Sequence, residues 1–120
     1  MYVVFPDEAL GALAASQAAL EAVFGSRAAD LMLCVVLLVE ARNLGHLRLF
    51  GLFDISAVCT PDGRWTIDVV TNGVGLRLQP TDRHGRPMVQ ATELEESDVQ
   101  QATVMQLLGV PVPVGGAGAR

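Results

Sequence analysis

A chain of 120 residues with two cysteines is long enough to close one hydrophobic core without a disulfide or a metal. Its formal charge of −5 argues against a nucleic-acid binder, whose affinity normally comes from a basic face. Apolar residues make up 51% of the chain and charged residues only 18%, against about 25% charged in ordinary soluble domains, so the composition holds more apolar side chain than one small core needs. All eight basic residues are arginine. Together with the load of Ala and Gly, that bias suits a GC-rich bacterial or phage genome.

Tyr2 to Phe5 is a short β-type run stopped by Pro6. Pro6 suits a first helical position, and Asp7 and Glu8 place acids at the positive end of the helix dipole. Leu10, Leu13, Leu20 and Phe24 then form one stripe, interrupted by Gln17 and ended by Gly25, which predicts a first helix. Ser26 caps a second helix beginning near Ala28 and ending near Asn43 to Gly45. That helix carries Leu31 to Val39, apolar throughout, although Val35, Val36 and Val39 leave a buried strand as the alternative. Bracketed by Asp30 and Glu40, the run is much shorter than the roughly 20 residues of a membrane span. No basic segment with an apolar signal core opens the chain, so the expected location is cytoplasmic, with Cys34 and Cys59 as free thiols in apolar surroundings.

Leu47 to Phe53 leads into the most informative stretch, with Gly51 as a bend. Phe53 to Pro80 reads as a three-stranded antiparallel meander whose two turns agree on the register. Pro61-Asp62-Gly63 pairs Thr60 with Arg64, and Asn72-Gly73 pairs Thr71 with Val74. Counting outward by twos brings Cys59 beside Trp65, Ala57 beside Ile67, Ile55 beside Val69, Val69 opposite Leu76 and Ile67 opposite Leu78. The other face shows Asp54, Ser56, Thr66, Asp68, Arg77 and Gln79, with Asp68 facing Arg77 as register support.

Thr81 to Pro87 is a polar turn region, and Met88 to Thr92 can add a fourth strand. Ser97 to Gln100 reads as a capping sequence, predicting a final helix to Leu108 with Gly109 as its stop. Residues 110–120, with Pro111, Pro113 and a Gly/Ala-rich end, read as a flexible tail after a single domain of residues 1–109. The expected fold is α+β: a curved antiparallel meander of three to four strands, with two N-terminal helices and one C-terminal helix packed on its apolar face.

The one loop with several functional side chains is Asp82 to Arg86. Arg83, His84 and Arg86 are a candidate anion site, because guanidinium forks match phosphate and carboxylate, and Trp65, Cys59 and His84 would stand near the mouth of any pocket between helices and curved sheet. The simpler reading is a solvated hairpin loop with Gly85 at positive φ. Asp82 and His84 have no Ser or Cys nucleophile nearby in sequence, Cys59 being the nearest by topology, so no catalytic residue is assigned. His46 reads as structural, Glu93, Glu95, Glu96 and Asp98 as an acidic lead into a helix, and no metal or cofactor motif is present. The leading expectation is a non-enzymatic interaction or assembly module of the cytoplasm, a homo-oligomer or a subunit of a larger complex, without nucleic-acid or membrane partners. Aliphatic residues of the first two helices or a sheet edge would make its contact. The alternative is a small-ligand-binding protein or enzyme with a pocket between helices and curved sheet.

Overall fold

The computed structural model describes residues 1–89 and 94–109 and is α+β, an open mixed sheet of five strands with helices on one face. Strand β1 (Tyr2–Val4) leads into helices α1 (Glu8–Ala14), α2 (Gln17–Phe24), α3 (Ala28–Glu40) and α4 (Leu44–Leu49). The meander β2 (Asp54–Cys59), β3 (Trp65–Thr71) and β4 (Val74–Pro80) follows, and β5 (Gln101–Leu108) closes the order β1-β5-β4-β3-β2. β1 runs parallel to β5, and every other pair is antiparallel.

The meander register agrees with the sequence pairing at each position named above, from Cys59 opposite Trp65 to Thr71 opposite Val74. Thr60 N–H donates to the Arg64 carbonyl across the first turn, and Asn72 and Gly73 both take positive φ in the second. Ile67, Val69, Val74, Leu76 and Leu78 are fully buried on one face. That face meets α3, whose Leu31, Cys34 and Leu38 join the same core. Leu20 and Phe24 of α2 enter it from the side.

Five expectations need correction. The expected C-terminal helix is a strand: Glu96–Asp98 makes one 3-10 turn, and β5 follows from Gln101. The capping signal is local, whereas β4, in the middle of the apolar face, needs a partner on its second edge, and the alternation of Ala102 and Val104 supplies a core-facing pair. The first helix is two helices, because Ser16 accepts the Ala19 N–H at 3.2 Å and so starts a new one. Likewise Asn43 does not end a helix but caps α4, accepting the His46 N–H at 2.8 Å, so Leu44–Leu49 is helical where a lead-in to the meander was expected. Gly51, at φ 69, follows α4 instead of curving a strand. Finally the sheet is mixed and five-stranded, because Tyr2–Val4 docks beside β5.

Of the expected fourth strand, residues 90–92 lie outside the described residues, as does the expected tail. Met88 donates to the Pro80 carbonyl at 2.9 Å and accepts the Trp65 N–H at 3.0 Å, and Val89 bridges Arg64, so this segment wedges between the start of β3 and the end of β4. Residues 31–39 are helix, not strand.

Candidate interaction surface

Helix α3 forms because Asp30 stands in its first turn and Leu31, Cys34 and Leu38 place one stripe on the sheet. Its last carbonyls have partners as well. The Met1 amino group donates to Val39 O at 2.9 Å, to Leu38 O at 3.3 Å and to Ala41 O, which ties β1 to the helix end. Burial holds that amino group below its ordinary pKa.

What is unusual is the opposite side of α3. Leu33, Val36 and Val39 are 40%, 50% and 51% exposed, and Met32, Val35 and Leu37 are half-buried between them and the core stripe. A surface helix ordinarily turns charged residues outward. From Leu31 to Val39 this helix has none. Fully burying a Val or Leu stabilises by about 1.5–3 kcal/mol, so completing the burial of each of these three is worth about 1 kcal/mol. Taken as one run, Gln17–Glu40 also has the length and apolarity to cross a membrane. In this fold it is interrupted at Gly25, with φ 63 and ψ −133, and its inner stripe is core.

The second feature is the uncovered sheet face. A depression of about 290 Å³ is lined by Ser56, Val58, Thr60, Thr66, Asp68 and Arg77, and a neighbouring one of about 510 Å³ adds Arg64, Gln79 and Met105. Arg77 grips Asp68 through both oxygens, with Nε to Oδ1 at 2.9 Å and Nη2 to Oδ2 at 3.0 Å, which raises the arginine pKa. This fork occupies Nε and Nη2, and Nη1 reaches Gln106 Oε1 at 3.5 Å. A bulge in β5 opposite Arg77 and Leu78 turns Met105 outward on this face.

The candidate anion residues lie elsewhere. Arg83, His84 and Arg86 are exposed on the loop joining β4 to Met88, and Trp65 is half-buried at the start of β3. Asp82 Oδ1 accepts the backbone N–H groups of His84 at 2.8 Å and Arg86 at 3.0 Å, and Gly85 has φ 79, as a tight turn requires. The Arg86 N–H above all holds the Asp82 carboxyl below its usual range. Arg83 lines a depression of about 580 Å³ with Tyr2, Thr81, Asp82, Met88, Asp98, Gln100 and Gln101, but His84, Arg86 and Trp65 line none of the described depressions. The structure therefore does not gather the four into one of them.

His46 sits in α4, where its Nδ1 accepts the Arg42 N–H at 3.0 Å, a structural role within the turn that joins α3 to α4. Glu96, from the acidic cluster, is held by Arg48 through Nε at 2.8 Å and Nη2 at 2.5 Å, clamping α4 to the turn before β5. Cys34 is buried and Cys59 half-buried, both free, and burial pushes the Cys34 thiol up to about 12. Among the described residues no group of three or more His, Cys, Asp or Glu is placed to hold a metal.

The outward apolar face of α3 was only half visible in the sequence. The run Leu31 to Val39 announced a helix or a strand, but with no polar residue in it, periodicity could not tell the core side from the outer side. Compared with family models, with curated proteins and with solved structures, the chain matches none.

Proposed function

We propose that this chain is a non-enzymatic protein-interaction or assembly module, self-associating or serving as a subunit of a larger bacterial or phage complex. The observation that carries the reading is the outer face of α3, where Leu33, Val36 and Val39 stand half in water on a helix that is apolar all round. Such a helix on a small domain is the signature of a surface covered by a partner. The net charge of −5 opposes association only weakly at physiological salt, where the Debye length is about 8 Å.

A pocket between helices and sheet has less support, since that space is filled by Leu31, Cys34, Leu38, Ile67, Leu76 and Leu78, all fully buried. Sedimentation velocity over roughly 1 to 100 μM, a range set by affinity arithmetic, is the test. The expected result is a sedimentation coefficient that rises with concentration. A single species of monomer mass across the range removes self-association and leaves a foreign partner as the use of this face.

A further inference from the structure

Along the outer side of α3, Ala29, Leu33, Val36 and Glu40 follow one another at spacings of four, three and four, and all are exposed. That is the seam of a short coiled coil, with Met32 and Val39 along one flank and Leu37 along the other. Resting on the association reading above, we propose that this seam packs against the same seam of a second copy of this chain, the two helices antiparallel and the two-fold axis between Leu33 and Val36.

The spacing suits a two-fold-related copy, and charge sets the direction. About its midpoint the pattern reads the same both ways, so an antiparallel copy seats Leu33 on the partner's Val36 and Val36 on the partner's Leu33. Ala29, the smallest member, falls opposite the partner's Glu40 and leaves room for its stem. Charge favours the same direction. Parallel packing would set two Glu40 side chains and two like dipole ends together, whereas antiparallel packing carries Glu40 to the positive end of the partner's α3. Asp30, in that same turn, lies about a quarter-turn round the helix from Ala29 and offsets part of this gain.

An anionic lipid surface fits less well, because interfacial helices flank their apolar face with basic residues and here the residues bracketing the apolar run are the acids Asp30 and Glu40. The area sets the strength. α3 has 13 residues, and a helix of that length is about 20 Å long and about 10 Å across, giving a few hundred Å² per copy, below the ~800 Å² per partner of a standard stable interface. The pair is therefore a reversible dimer with dissociation in the micromolar range or weaker.

The test uses two variants of the full chain in a Cys59→Ser background, Leu33→Cys and Val36→Cys, mixed at about 50 μM, a concentration suited to micromolar dissociation, and oxidised gently. Their masses differ, so intact mass distinguishes the mixed disulfide from either homodimer. The mixed species should dominate. Homodimers dominating would mean a parallel seam, and the absence of any crosslink would mean that no seam forms; either result overturns the proposal. A second variant, Val36→Glu, whose site is 50% exposed and which should keep the native melting point, should raise the dissociation constant at least tenfold. If the chain dimerises with unchanged affinity in Val36→Glu, the α3 pairing is wrong while self-association survives; if the wild type is monomeric throughout, the pairing and self-association both fall and a foreign partner is left as the use of this face.

Discussion

Removing most of the Ile67 side chain tests the packing of the sheet at its centre. Ile67 is fully buried on the core face of β3, opposite Ala57 on one side and Leu78 on the other, beneath α3. Ile67→Ala deletes three carbons, about 2.4 kcal/mol of transfer free energy at roughly 0.8 kcal/mol each, and leaves a cavity. Ala57 on the neighbouring edge strand is exposed, so part of that cavity can collapse or hydrate. A net loss of about 3 kcal/mol follows, within the ~2–5 kcal/mol typical of such changes, and at roughly 4 °C per kcal/mol the melting point falls by about 12 °C. The matched control is Val58→Ala, on β2 but on the uncovered face, where the side chain is 62% exposed and the loss should stay below about 1 kcal/mol. Urea unfolding at one fixed protein concentration measures both, with an unchanged slope showing that only stability has moved. Equal midpoints for the two variants, or a larger loss for Val58→Ala, would refute the register, because a one-residue slip exchanges the two faces.

Gly75→Ala should destabilise the fold by about 1–3 kcal/mol in the same urea assay, since the new methyl would collide with the Val69 carbonyl and stand 2.8 Å from Val70 Cα. A neutral effect would mean that β3 and β4 sit further apart than described. With its pKa raised to about 12, Cys34 should resist a thiol reagent at pH 8 while Cys59 reacts, so native protein should show one fast thiol and unfolded protein two. Two fast thiols in the native state would contradict the buried position of Cys34. The Arg48 hydrogen bonds hold the Glu96 carboxyl below the usual 4.5, so its contribution is present above that value and is lost as pH falls through the lower folded value. Glu96→Gln should therefore flatten the loss of stability below about pH 4.5, and an unchanged acid limb would exclude the Arg48 clamp as its source.

The meander was legible because its information is local and redundant. Two short turns of defined chemistry, Pro61-Asp62-Gly63 and Asn72-Gly73, fix the same faces independently, and the pairs between them follow by counting. The termini were not legible in this way. Ser97 to Leu108 carries a helix-capping signal with an alternating apolar pattern behind it, and the open edge of β4 decided between them, a partner that lies some twenty residues away in sequence. The break between α1 and α2 at Ser16 and the cap at Asn43 were visible as residue types, but each fits a helix start as well as an interruption. For the candidate interaction surface, composition announced surplus apolar side chain, and only the placement of Leu31, Cys34 and Leu38 on the sheet revealed which side of α3 was left over. The loop at Arg83 to Arg86 stood out in the sequence because it gathers several functional side chains, and in the structure its one carboxylate, Asp82, serves the turn.

The central claim is that the outer side of α3, and not the uncovered sheet face, is the surface by which the chain associates. Sedimentation equilibrium of three proteins at matched concentrations tests it most directly: wild type, Leu33→Ser with Val36→Ser, and Val58→Ser with Met105→Ser, each pair replacing exposed apolar residues. The account predicts that the α3 pair shifts the monomer–dimer equilibrium to monomer while the sheet pair matches the wild type. Loss of association in the sheet pair, with the α3 pair unaffected, would contradict it.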